Sequence, residues 1–118
     1  MIVIGVAILI GLVSREKRLR AKQGRTLERR LAAWRQEVDK ASWTKPMEVK
    51  AVYGTADVIG DSRIVFDICG NSYRLVVKFN YVAGVARVLF AGTRTEYDGI
   101  EALTVGDNED AKADHEPS

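Results

Sequence analysis

The strongest constraint on the fold is a series of three segments between residues 63 and 91 in which apolar and polar side chains alternate. A period of two residues is typical of β-strands with one buried face. Gly70-Asn71 separates the first two segments, Val82-Ala83-Gly84 separates the next two, and both are turn sequences. The pattern predicts an antiparallel meander with strands over residues 63–69, 73–81 and 85–91.

The side chains of these strands divide between two faces. The face that we predict to be buried carries Ile64, Phe66, Ile68, Tyr73, Leu75, Val77, Phe79, Ala86, Val88 and Phe90. The opposite face presents Arg74, Lys78 and Arg87. Cations on one sheet face suit a polyanion such as RNA, and they are equally typical of a solvated surface, so the pattern alone leaves both interpretations open.

An apolar run from Ile2 to Val13 opens the chain. Its length is well below the ~20 residues of a membrane-spanning helix. Basic residues follow the run rather than precede it, unlike the order in a secretory signal. We therefore predict a buried strand near Ile2–Ile4 and then a helix packed on the core of a cytoplasmic protein. Membrane association through this run is the alternative.

A second helix is predicted from one apolar stripe with intervals of four, three and four residues, formed by Leu27, Leu31, Trp34 and Val38. Thr26 is the predicted N-cap, and Gly24 is the predicted break between the two helices. Pro46 suits the first turn of a short third segment that runs through Tyr53, and Trp43 is predicted to plug the core. Helices that precede strands indicate an α+β fold, with two N-terminal helices packed on a small antiparallel sheet.

Charge divides the chain into two parts. Residues 1–100 carry 17 Lys and Arg against 10 Asp and Glu, whereas residues 101–118 carry one basic residue against six acidic ones. No large apolar residue follows Val105. We therefore predict a folded domain over residues 1–103 and a disordered acidic tail over residues 104–118.

The composition also limits the chemistry. Cys69 is the one cysteine, so an internal disulfide and a zinc site built from cysteines are excluded. His115 is the one histidine and lies outside the predicted domain. No metal site or cofactor is expected, and catalysis would depend on Lys, Arg, Tyr, Asp, Glu, Ser or Thr.

Three stretches resemble one known family. They are WTKPMEVK at residues 43–50, VFDICGNSYRLVV at residues 65–77 and GTRTEYD at residues 92–98. In this order they are similar to the HigB toxins of type II toxin–antitoxin systems, within the RelE/ParE superfamily. The resemblance covers about Trp34 to Ile100, and its middle stretch is the most specific.

The resemblance implies a small antiparallel sheet with two N-terminal helices. It also implies an endoribonuclease that cleaves mRNA on the translating ribosome without a metal and is neutralised by a HigA-like helix-turn-helix antitoxin. Metal-free RNA cleavage needs a base for the 2′-hydroxyl, an acid for the leaving oxygen and cations around the phosphate.

We assign these roles to particular side chains as predictions. Arg74 is the candidate for phosphate stabilisation, because a guanidinium donates to two oxygens at once. Tyr97 is the candidate acid or base, and Lys50 is a second proton carrier or a phosphate contact. The remaining candidate RNA-binding residues are Lys78, Arg87, Arg94 and Asn71.

Two positions depart from the family pattern. Asp67 stands where the pattern has Asn, and Arg94 stands where it has His. A guanidinium stays protonated, so Arg94 cannot replace a histidine that transfers a proton, although it can hold a phosphate. A relative that binds RNA or the ribosome without cleaving RNA is therefore the alternative.

Overall fold

The structure, a computed structural model, describes residues 1–107. The chain forms five strands and four helices in the order β1 (Ile2–Ile4), α1 (Val6–Leu19), α2 (Ala21–Lys40), α3 (Pro46–Val52), β2 (Asp57–Gly60), β3 (Arg63–Ile68), β4 (Tyr73–Asn80), β5 (Val85–Thr93) and α4 (Arg94–Asp98). The predicted α+β class, the presence of a strand at Ile2–Ile4, the meander and the start of α3 at Pro46 are confirmed. The first strand is not buried as predicted, because Ile2 and Ile4 at the sheet edge are exposed and only Val3 lies in the core.

The strands form one sheet in the order β1-β5-β4-β3-β2. The pairs β2–β3, β3–β4 and β4–β5 are antiparallel, whereas β1 pairs with β5 in parallel, so the predicted antiparallel sheet is in fact mixed. The edge strand β2 was not predicted, because its four residues are too few to show a period.

A β-bulge in β5 reverses which side chains point to each face of the sheet. Val76 of β4 pairs with Phe90 and Val77 pairs with Val88, which leaves Leu89 as an extra residue. Leu89 and Phe90 therefore both belong to the apolar cluster on the outer face. The prediction that Phe90 shares a face with Ala86 and Val88 was wrong, because a simple alternation cannot show a bulge.

The junction between α1 and α2 also differs from the prediction. The helices meet at Arg20, and Gly24 and Thr26 lie inside α2, so Gly24 is not a break and Thr26 is not an N-cap. The Gly24 N–H donates to the Arg20 carbonyl at 2.8 Å. A Cβ atom at Gly24 would lie 2.5 Å from Lys17 Cα, so this glycine permits the close approach of two helix backbones.

The main core lies between the helices and one face of the sheet. Trp34 of α2 and Phe66 of β3 are in edge contact, with ring centroids 5.4 Å apart. Trp43 packs against Tyr53 and Phe79, which confirms its predicted role in the core. Within residues 1–107, no helix combines the length and apolar content that a bilayer crossing requires.

The outer face of the sheet is covered by a second apolar cluster. Val65, Val76 and Leu89 are buried there beneath apolar side chains that follow β5, namely Tyr97, Ile100, Ala102 and Val105. We call residues 101–107 the strap. Residues 104–107, which the sequence placed in the tail, therefore pack on the sheet. The rest of the predicted tail, residues 108–118, lies outside the described residues.

A buried arginine holds the strap. Arg63 is fully buried, and its Nη1 atom donates to the carbonyls of Ala102 and Val105 at 3.0 and 2.6 Å. Its Nη2 atom donates to Asp107. These bonds satisfy strap carbonyls that would otherwise face the sheet without partners, which explains how a segment outside the helices and strands packs here.

Candidate active site

Arg74, Asp67 and Tyr97 form a cluster on the outer face, beside the strap. Asp67 of β3 and Arg74 of β4 are direct cross-strand partners. Arg74 Nε donates to Asp67 Oδ1 at 2.8 Å, and only 13% and 17% of the two side chains is exposed. The guanidinium carbon lies 4.8 Å from the centroid of the Tyr97 ring, a cation–π contact. Two contacts thus fix the orientation of the guanidinium.

The cluster follows from local structure in the sequence. The hairpin closed by the turn at Gly70-Asn71 places residue 67 opposite residue 74. Tyr97 is brought to them by α4, which begins directly after β5. A capping box starts this helix, since Thr93 accepts from the Glu96 N–H while Glu96 accepts from the Thr93 N–H.

The terminal nitrogens of Arg74 define what the cluster is able to bind. Nη1 and Nη2 make no hydrogen bond or ion pair with another described residue, because Asp67 uses only Nε. A guanidinium with two adjacent open donors matches the geometry of two phosphate oxygens. Within residues 1–107, no three His, Cys, Asp or Glu side chains group closely enough to hold a metal ion.

An ion pair ties α4 to the helical layer. Arg15 of α1 donates to both Glu96 oxygens, at 2.7 and 2.6 Å. The hydrogen bonds from Arg15 lower the pKa of Glu96 to about 2. Because Glu96 also caps α4, this pair helps to place Tyr97.

The pair predicts an acid-sensitive contribution to stability. The pKa of Glu96 in the folded chain lies below its ordinary value of 4.5, so the contribution is present above that pH and is lost as pH falls toward about 2. We expect Glu96→Gln to flatten the dependence of the free energy of unfolding on pH in this window. Urea unfolding of the wild type and Glu96→Gln at several pH values measures this dependence. Parallel curves would show that the pair is solvated and adds nothing, as is common for exposed ion pairs.

Two other predicted residues lie at the same end of the sheet. Asn71 is exposed in the turn between β3 and β4. Arg94 is the first residue of α4, and its N–H donates to the carbonyl of Ser72 at 3.0 Å, next to Asn71. The Arg94 side chain is 3.4 Å from Asp98. The turn and the start of α4 therefore form one surface near Arg74.

Lys78 and Arg87 lie toward the opposite end of the sheet. They are cross-strand partners in β4 and β5, and they line a cleft together with Ser62 and Asn80. Lys78 Nζ is 3.4 Å from Asp61. Four residues along β4 separate Lys78 from Arg74, or about 13 Å at ~3.3 Å per residue.

Lys50 makes no hydrogen bond with Arg74 or Tyr97 in the part of the chain that the structure describes. Lys50 belongs to α3, whose Val49 is buried in the main core. Its Nζ atom donates to the carbonyls of Gly54 and Ala56 at 2.9 and 2.6 Å. Lys50 thus stabilises the chain between α3 and β2.

A buried polar group in α1 was not predicted from the sequence. Glu16 is 1% exposed and accepts from the Tyr73 hydroxyl at 2.6 Å and from Arg20 at 3.0 Å. Burial and this hydrogen bond raise the pKa of Tyr73 to about 12. Its position four residues after the buried Leu12 was the available signal, because it places a charge on the buried side of the helix.

Fold and site together define a small α+β protein with an arginine–tyrosine–aspartate cluster on the sheet face opposite helices α1 and α2. The chain belongs to the HigB toxin family, whose description is the RelE-like toxic component of a toxin–antitoxin system and whose model matches residues 27–100. It is therefore a toxin of such a system, and the family implies an antitoxin partner. No curated protein matches the chain.

Proposed function

We propose that the protein is a metal-independent endoribonuclease that cleaves mRNA on the translating ribosome in the cytoplasm and is neutralised by a HigA-like antitoxin. The observation that carries the proposal is the guanidinium of Arg74, held by Asp67 and Tyr97 with its terminal nitrogens open. A cation fixed before substrate arrives stabilises the charge that develops on phosphate without reorganising.

RNA cleavage requires different roles of the residues around Arg74. The 2′-hydroxyl of the substrate is the nucleophile, so the enzyme needs only to bind the phosphate and to move two protons. Tyr97 supplies the proton for the leaving 5′-oxygen, because its ring lies against Arg74 and its hydroxyl is a proton donor. Asn71 and Arg94 extend the surface along which the RNA binds, and Lys78 and Arg87 contact phosphates farther along the strand.

A second candidate is an RNA-binding toxin that stops translation without cleavage. Two observations favour it: Lys50 is engaged with backbone carbonyls, and position 94 holds a guanidinium that cannot transfer a proton. In that case Arg74 serves binding alone.

The deciding experiment is induced expression of the chain with and without its antitoxin, with mapping of RNA ends. We expect Arg74→Ala to abolish growth arrest and the new 5′ ends, and to lower cleavage at least ~100-fold, the loss typical of one removed oxyanion-stabilising donor. Its side chain lies outside the main core, so circular dichroism should show a folded protein.

Arg29→Ala is the matched control. It removes the same charge from an exposed position of α2 and should leave the new RNA ends unchanged. Growth arrest by the wild type without new RNA ends would favour the second candidate. Full toxicity of folded Arg74→Ala would contradict the assignment of Arg74 in both.

A further inference from the structure

Proton transfer in the proposed reaction lacks one partner. Tyr97 accounts for the acid. The amino group of Lys50 donates to two backbone carbonyls. Arg74 and Arg94 are guanidinium groups that do not release protons. The side chain in contact with Arg74 that has the chemistry of a base is Asp67. A carboxylate oxygen is a proton acceptor, as the role of general base requires.

We infer that Asp67 is the general base that removes the proton of the 2′-hydroxyl. The inference rests on the proposed endoribonuclease function and names a residue that the sequence motifs did not assign. Its geometric basis is that Arg74 occupies only the Oδ1 atom of Asp67, whereas Oδ2 accepts no hydrogen bond from residues 1–107. An open carboxylate oxygen and two open guanidinium donors therefore lie side by side.

The reaction balances with these groups. The 2′-hydroxyl proton passes to Asp67 Oδ2 as the 2′-oxygen forms its bond to phosphorus. The bond from phosphorus to the 5′-oxygen breaks, and Tyr97 gives that oxygen its proton. The products are a 2′,3′-cyclic phosphate and a 5′-hydroxyl, after which Asp67 and Tyr97 exchange protons with water and regain their starting states.

The ion pair couples proton uptake by Asp67 to the charge that Arg74 presents to the phosphate. In the resting protein, the Asp67 charge offsets that of Arg74 at 2.8 Å. When Asp67 takes up the proton, that offset disappears at the moment when negative charge grows on the phosphate. The attraction between Arg74 and the phosphate therefore grows in the transition state. This gain offsets the loss of the attraction between Arg74 and Asp67, which otherwise opposes protonation of the carboxylate.

The test compares Asp67→Asn and Asp67→Glu with the wild type, using purified full-length protein on mRNA in translating ribosomes and on RNA alone. Asp67→Asn keeps the shape and removes the base, so we expect cleavage to fall at least ~100-fold. Binding of the same RNA with 2′-O-methyl groups, which cannot react, should stay equal or tighten. Asp67→Glu should recover part of the lost rate, because it restores a carboxylate.

The pH dependence gives a readout that a structural role would not change. If Asp67 is the base, Asp67→Asn should change the shape of the dependence of the cleavage rate on pH, whereas loss of a structural contact should lower the rate equally at every pH. The cleft beside Asp67 is also lined by Arg30, Glu37 and Tyr53. These groups are common to both proteins, so the difference between the two profiles reports on Asp67.

Three results would overturn the inference. Cleavage by Asp67→Asn at or above the wild-type rate would show that Asp67 only restrains Arg74. Equal losses of cleavage and of binding to the methylated RNA would assign Asp67 a structural role. Absence of cleavage by the wild type on both substrates would remove the proposed function itself, a pattern distinct from an active wild type with an unaffected variant.

Discussion

Gly24→Ala should lower the free energy of unfolding by about 3 kcal/mol, at the upper end of overpacking effects. Alanine ordinarily favours a helix over glycine, so propensity alone predicts the opposite sign. At this position, however, the added Cβ would lie 2.5 Å from Lys17 Cα and 2.7 Å from the Glu16 carbonyl carbon. Both neighbours are backbone of α1, so the two helices must separate, which also disturbs the buried Glu16.

Gly11→Ala is the matched control for this prediction. Gly11 is exposed within α1, and a Cβ there would meet no atom within 4 Å. We expect this variant to be more stable than the wild type by up to ~1 kcal/mol. Denaturant unfolding of the three proteins gives the comparison. Stabilisation by both substitutions would show that the contact between α1 and α2 adjusts without strain.

Gly24 also shows where sequence patterns stop being informative. A glycine between two basic, apolar-striped segments predicts a break, because glycine has a low helix propensity. The structure uses the same residue for its small volume. The distinction depends on the position of Lys17 in another helix, and no pattern within α2 contains that position.

The sheet was predictable to the extent that one face is buried. Phe66, Leu75 and Val77 lie in the main core as their alternation predicts. The bulge at Leu89 and the strap were not predictable. Both contribute side chains to the second apolar cluster, which buries the outer face of the same strands. A strand buried on both faces loses its alternation, and the seven residues of the strap are too few to show a period that would predict their packing.

The candidate site was predictable in part. The turn at Gly70-Asn71 sets the hairpin register, and that register pairs Asp67 with Arg74. Contact between Asp67, which departs from the family pattern, and Arg74 was therefore predictable from the sequence. The position of Tyr97 over the guanidinium depends on the direction of α4, which a capping box and an ion pair from α1 determine.

Arg63→Ala should lower the free energy of unfolding by about 3 kcal/mol, the typical cost of breaking a buried charged contact. The substitution leaves a cavity beneath the strap and removes its bonds to the Ala102 and Val105 carbonyls. Val65, Val76 and Leu89 would then lose their cover. Because Tyr97 packs in the same cluster, we also expect weaker cleavage through poorer placement of Arg74.

Arg63→Met is the control that separates charge from volume. Methionine fills much of the cavity without a charge, so its stability should lie between those of Arg63→Ala and the wild type. Amide hydrogen exchange gives the local measurement: protection of residues 101–107 should fall in both variants, because neither holds the strap carbonyls. Unchanged protection in Arg63→Ala would show that the apolar contacts of the strap suffice. Arg63 would then be buried by its position in β3 and would not be needed to hold the strap.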